Sequence, residues 1–288
     1  MGAKAAVKRL LRPFNVVLPV QPYGTRFKVP ILRGVGGSHR HGSEPWMVDA
    51  LRRLFQAGGK AGLIDVGVNI GQTLLKLRSV APDAPYVGFE PNPFCIQFVN
   101  ELVALNGFRD CTIVPVALAA APGLVGFVAD SEADSAASVV QDLRPGKPSI
   151  RRQYVATLKF DDIAADLAVA DIPMVKIDVE GAELDVLDGM RAFLRERRPL
   201  VVCEVLHAHT GAQLALMRAR NTALVALLAD VGYAAYRIGK DEALAHVTGL
   251  VPVAAFPDEV YDPRTSPAVC DYLFVPHERV APTLSAFG

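Results

Sequence analysis

The chain has 288 residues, 51% of them apolar and 21% charged, and its 30 basic residues balance 30 acidic ones. That length suits one large α/β domain with additions, and that composition supports a sizeable core and excludes gross disorder. Zero net charge argues against non-specific binding to nucleic acid or to an acidic membrane surface.

The first residues, "MGAKAAVKRLLRPF", place Lys4, Lys8, Arg9 and Arg12 on a basic helix face that reads as solvated. No long apolar segment or cleavage signature follows, and position 6 lacks the Ser or Thr of a myristoylation signal. No stretch reaches the roughly 20 apolar residues of a membrane span. The scattered Cys95, Cys111, Cys203 and Cys270 form no CxxC pair, which reads as free thiols in a reducing, cytoplasmic setting. Glycine and proline around "ILRGVGGSHRHGSEP" predict an irregular cap over residues 1–45, ahead of a catalytic domain over 46–288 whose first helix Trp46 anchors.

Periodicity then divides the chain into alternating elements. "AGLIDVG" (61–67) reads as a buried strand, 70–80 as a helix stopped by Pro82, and "YVGFE" (86–90) as a second strand. A helix over 94–105 ends at Asn106-Gly107, and "CTIVPVAL" (111–118) is a third strand. Residues 120–156 form an antiparallel excursion, with a short helix at 159–167 behind it. "PMVKIDV" (173–179) and "PLVVCEVL" (199–206) are the fourth and fifth core strands, separated by a helix over 182–194. A long helix over 211–230 leads to strands at 233–238 and 271–276, with a Pro-rich insertion over 239–270. Strand–helix alternation predicts a mostly parallel sheet with helices on both faces, and the two late strands predict an antiparallel edge.

"LIDVGVNIGQT", residues 63–73, lies where an open parallel sheet binds ligands, at the carboxyl end of its first strand. A dinucleotide needs G-x-G-x-x-G, whose middle glycine lets the backbone touch the pyrophosphate. Here the spacing is G-x-x-x-G and Asn69 fills the gap, which disfavours a nicotinamide-dependent oxidoreductase. S-adenosylmethionine carries no pyrophosphate. Asp65 is then placed to receive its ammonium, directly or through water, and Gly67 leaves room for its backbone. Glu90 ends the second strand about twenty residues on, where an acid takes two ribose hydroxyls.

"LIDVGVNIGQT", "YVGFEPNP", "VNELVALNG", "MVKIDVEGAELDVLDGM" and "RRPLVVCEV" stand in the order and spacing of FkbM-type methyltransferases, which this chain resembles over residues 44–206 and again at "DYLFVP". Val68 replaces the family's usual alanine, and "TLKFDDI" has Lys159-Phe160 where members commonly read Leu-Asp. The resemblance implies a Rossmann-like class I methyltransferase fold and methyl transfer from S-adenosylmethionine, most often to a hydroxyl of a sugar or secondary metabolite. It further implies that Asp65, Gly67, Asn69 and Gly71 lie along the cofactor's amino-acid end and Glu90 on its ribose. Asn92 would sit near the adenine, Val116, Ala117 and Leu118 would flank it, and Ser135 or Ser138 would close over it. A fold-retaining interaction protein without turnover stands as the alternative, because fold does not determine function.

An alcohol nucleophile gains from a general base, sought at the carboxyl ends of the fourth and fifth strands. Asp178 ends the fourth strand, with Glu180 and Glu183 at the start of the next helix, where acids also serve as caps. Lys176 and Glu204 sit inside apolar runs, and buried charges need partners, so they are predicted to pair with each other. His207 is the preferred base, with His209 two residues on. His-x-His at 207–209 and 39–41 is also a possible metal spacing, outweighed by a loop reading, and no metal is expected. The acceptor is expected to be a small molecule or glycan. The sequence leaves the oligomeric state open.

Overall fold

The structure is a computed structural model that describes residues 15–129 and 151–288. It runs through β1 (Val16–Val20), β2 (Phe27–Ile31), α1 (Pro45–Gly58), β3 (Leu63–Val66), α2 (Gln72–Val80), β4 (Tyr86–Phe89), α3 (Pro93–Asn106), β5 (Cys111–Val114), β6 (Ala117–Leu118) and β7 (Gly123–Ala129). Then come β8 (Arg151–Leu158), α4 (Phe160–Ile163), β9 (Met174–Ile177), α5 (Glu183–Gly189), α6 (Arg191–Arg197) and β10 (Leu200–Glu204). The last elements are α7 (Leu214–Val231), β11 (Tyr233–Lys240), β12 (Val247–Val253), β13 (Asp271–Pro276) and α8 (Val280–Ser285).

Eight strands make the central sheet, in the order β12-β11-β13-β10-β9-β3-β4-β5. The five from β10 to β5 run parallel. β13 is antiparallel to both β10 and β11, and β12 is antiparallel to β11. The sheet is, as the sequence predicts, mostly parallel with its antiparallel strands toward one edge. The chain steps outward from β3 to β4 to β5, then returns to the other side of β3 for β9. Strand order reverses there, and the carboxyl ends of β3 and β9 border a crevice.

β3, β4 and β9 are buried at every position, as strands covered on both faces must be. Ile64, Val66, Val175 and Ile177 pack with α5, α6 and α7 on one face. Leu63, Met174 and Val202 pack with α1 and α2 on the other. Asp65 and Lys176 share that second face, because side chains alternate along a strand. Among the described residues no helix is long and apolar enough to cross a membrane.

Four elements differ from the sequence expectation. The "CTIVPVAL" strand splits at Pro115, which has no N–H for a sheet ladder; β5 stays in the central sheet while β6 joins β8 and β7 in a second, three-stranded sheet. The helix expected over 182–194 breaks at Met190. A Cβ on Gly189, the last residue of α5, would stand 2.3 Å from the Ala119 carbonyl oxygen, so only glycine fits there. Asp161 then caps the new start, accepting from the Ala192 and Phe193 N–H groups at 2.9 and 3.0 Å. The insertion over 239–270 contributes β12. The region ahead of α1 contains a β1–β2 hairpin, whose Val20, Phe27 and Val29 pack with Phe98 and Leu102 of α3.

Candidate active site

The loop after β3 is shaped by its backbone. Gly67 has a φ of 89°. A Cβ there would stand 1.9 Å from the Asp178 carbonyl oxygen, so only glycine lets the β3 and β9 loops approach this closely. Asn69 is also left-handed, at φ 50°, a conformation asparagine tolerates better than most residues. Its N–H donates to Glu90 Oε2 at 2.7 Å, and Cys95 Sγ donates to its side-chain oxygen at 3.8 Å. Gly71 opens α2 at φ 83°, where a Cβ would meet Leu102 Cδ2 at 2.9 Å.

Glu90 follows β4 and is buried. Its second oxygen accepts from the Asn92 N–H at 2.8 Å, and Asn92 in turn caps α3 through the Phe94 N–H at 3.0 Å. Burial pushes the Glu90 carboxyl up to about 7, against the pull of the two N–H donors. Each carboxylate oxygen keeps lone-pair capacity beyond its one backbone bond.

A cavity of about 160 Å³ lies in the crevice. Of the sequence-predicted residues, Gly67, Asn69, Glu90, Asn92, Ala117, Leu118, Lys176, Asp178, Glu180 and Glu204 line it. Gly71, Val116, Asp65, His207 and His209 do not, and Ser135 and Ser138 lie outside the described residues. Ser43, Glu44, Gln72, Thr73 and Cys95 complete much of the wall, and sequence reasoning assigned none of them to the site, preferring a structural reading for the segment around Glu44 and Trp46. Gln72 and Thr73 directly follow the glycine loop, a signal that points to them. Ser43 and Glu44 carry no comparable spacing signal. They reach the cavity because the Tyr23 hydroxyl holds both the carbonyl and N–H of Ser43, at 2.7 and 2.8 Å, and Lys76 holds Glu44 at 2.5 Å.

The expected Lys176–Glu204 pair does not form. Lys176 Nζ instead stands 3.4 Å from Asp65 and 3.3 Å from Asp178, and donates to the Gly67 carbonyl at 3.1 Å. Register explains this. Asp65 lies directly opposite Lys176 across the β3–β9 ladder, whereas Lys176 faces Val202 on β10, two residues short of Glu204. Burial disfavours the Lys176 charge, but Asp178 and Asp65 outweigh it and raise its pKa. Burial keeps the Asp65 pKa raised despite Lys176. The Tyr86 hydroxyl donates to Asp65 at 2.6 Å. Gly88 leaves the space for that ring, since a Cβ there would meet Tyr86 Cε1 at 2.9 Å.

Burial, then the charges of Asp178 and Asp271, push Glu204 well above the usual carboxylate range. Burial also acts to raise Asp178, but Lys176 and a hydrogen bond from Glu204 hold it below its usual value. Glu204 and Asp178 therefore sit side by side at the strand ends with their carboxyl pKa values pushed in opposite directions. Glu183 accepts from the Gly181 N–H at 2.7 Å, a local bond in the turn just ahead of α5. Buried His207 packs against Tyr261 with its Nε2 3.7 Å from Glu259.

The family sequence model described as the Methyltransferase FkbM domain matches residues 65–235. The methyltransferase sdnD of Sordaria araneosa is 24% identical over 154 residues, 44% of this chain and 60% of that protein. The chain thus spans less than two thirds of that relative. Among solved structures, the methyltransferase FkbM of Methylobacillus flagellatus KT is similar at 17% identity and a TM-score of 0.45, covering 75% of this chain and 43% of its own. M. jannaschii TYW2, solved in complex with AdoMet, is similar at 13% identity and a TM-score of 0.41, covering 90% and 84%. The family match runs from within β3 to the start of β11, taking in the strands that carry the cavity and the helices packed on them, and this chain belongs to the FkbM methyltransferase family.

Proposed function

We propose that this protein transfers a methyl group from S-adenosylmethionine to a hydroxyl oxygen of a small-molecule or glycan acceptor. The observation that carries the reading is Glu90, a buried carboxylate at the cavity edge whose two backbone bonds leave acceptor capacity for a pair of ribose hydroxyls. Membership in a methyltransferase family and a loop without a pyrophosphate-contacting glycine support the same cofactor. When bound, it supplies a methyl group on a sulfonium, a leaving group that needs no activation.

The chain's own residues then position and deprotonate. Lys176 neutralises the row of acids beneath the cavity and ties down the Gly67 carbonyl. Asp65 acts through that lysine; its carboxylate lies under the lining, bonded to Tyr86, so it is a positioning residue. Asn92, Ala117 and Leu118 are assigned to the adenine side. Asp178 is the group we assign as base, because it lines the cavity and Lys176 keeps it ionised. The acceptor hydroxyl gives its proton to Asp178 as its oxygen takes the methyl, and Glu204 holds Asp178 in place by donating to it. His207 is left out of this step, since it lies off the cavity lining. Residues 46–288 are proposed as the catalytic domain, with 1–45 a cap that brings Ser43 and Glu44 to the cavity wall.

The test is direct. S-adenosylmethionine or S-adenosylhomocysteine should raise the melting temperature of the protein and NAD should not, and acceptor-dependent release of S-adenosylhomocysteine should follow. Stabilisation by NAD alone would overturn the reading.

A further inference from the structure

Charged groups continue along the sheet past the proposed cofactor cavity. Asp271 lies directly opposite Glu204 in the β10–β13 ladder. Lys240, at the end of β11, pairs with Asp271, donates to the Pro267 carbonyl at 2.9 Å, and stands 4.7 Å from the Trp46 ring centre. Over this end of the row lies a second cavity of about 230 Å³. It shares Glu44 and Glu204 with the first, and its wall is completed by Leu244, Pro267 and Tyr261 among others.

We infer that this second cavity is the acceptor site, and that it takes an uncharged, hydroxyl-bearing group and rejects anions. The inference rests on the cofactor reading of the first cavity. Its location follows from the shared wall: a group seated here meets the first cavity at Glu44 and Glu204, beside Asp178. Its selectivity follows from how each charge is already satisfied. Glu44 is balanced by Lys76 and Asp271 by Lys240. Among the described residues Lys240 is the single cation in the lining, and two of its three N–H donors go to Asp271 and the Pro267 carbonyl. The lining acids offer oxygen lone pairs, which suit hydroxyl donors. A carboxylate or phosphate would meet the Glu44 and Asp271 carboxylates, each already paired with its lysine, and like charges in a confined site repel strongly.

The test uses the full chain saturated with S-adenosylhomocysteine and three matched sugar probes. These are methyl α-glucoside, glucuronate and glucosamine, followed by ligand-observed saturation-transfer NMR. The glucoside should bind and glucuronate should bind at least tenfold more weakly. Ala243→Trp places a large side chain into the cavity from an exposed loop position and should abolish the glucoside signal. Calorimetry on both proteins should give the same S-adenosylhomocysteine affinity. Equal binding of glucuronate, preferential binding of glucosamine, no binding of the glucoside at tens of millimolar, or an undiminished glucoside signal in the variant would each overturn the inference. Absence of S-adenosylhomocysteine binding to the unaltered protein would instead overturn the cofactor reading beneath it.

Discussion

Replacing Glu90 with glutamine tests the cofactor site at its strongest proposed contact. The carboxylate spends one bond on each of the Asn69 and Asn92 N–H groups, at 2.7 and 2.8 Å, and is proposed to take two ribose hydroxyls with its remaining lone pairs. A hydrogen bond to a charged group contributes about 1.5–3 kcal/mol and a second on the same carboxylate less, so the loss should be about 2–4 kcal/mol of binding energy. That is an affinity roughly 30- to 700-fold weaker. The amide nitrogen would face one of the backbone donors, with a folding penalty of about 1–3 kcal/mol. Proton linkage gives a second signature. With the free carboxyl at about 7 and its ionised form favoured by the hydroxyl donors, binding must expel a proton at low pH. Affinity should therefore be about tenfold lower at pH 6 than at pH 8, following 1.36 kcal/mol per unit. The linkage to folding has the opposite sense. A carboxyl whose folded pKa is raised from 4.5 to about 7 favours the fold fully below 4.5 and loses that contribution as pH rises through 7. Isothermal titration with S-adenosylhomocysteine across this range reads both effects. An unchanged affinity in Glu90→Gln, with the same pH slope as the parent, would refute the assignment.

Asp178→Asn should cut turnover by about 10²–10⁴-fold with near-normal cofactor affinity, whereas His207→Ala should keep most of the activity. The reverse ranking in a methyl-transfer assay would return the base to the histidine. Lys176→Met leaves Asp65 and Asp178 without their cation and should cost about 3–5 kcal/mol in urea unfolding. The defect should shrink on acidification, because protonating the stranded carboxylates removes the unpaired charge. Gly67→Ala should cost on the order of 3 kcal/mol or more, since its Cβ falls 1.9 Å from the Asp178 carbonyl oxygen at a φ of 89°; a melting temperature within a degree of the parent would contradict that geometry.

The core of the fold was legible in the chain because it depends on short-range rules. Buried parallel strands read as apolar runs, helices as 3.6-residue stripes, and turns as Gly, Asn or Pro at fixed places. The residues ending β3, β4 and β9 are brought to the crevice by that alternation alone, which is why Gly67, Asn69, Glu90, Lys176 and Asp178 could be placed together from the sequence. Pro115 carried a local signal for the broken strand, and Gly189 stands where the helix closely approaches Ala119. Pairing was decided only by the tertiary structure. Lys176 was plainly a buried charge, yet its choice of Asp65 over Glu204 depends on register between β3, β9 and β10. Burial of Asp65 beneath Tyr86 depends on the space left by Gly88. Ser43 and Glu44 reach the cavity only because Tyr23 and Lys76, distant in sequence, hold the segment there. His207 followed the right strand, but the turn after β10 packs it against Tyr261 and away from the cavity. A sequence determines which groups are charged, apolar or flexible. Which of them meet is set by strand order and by how segments far apart along the chain pack together.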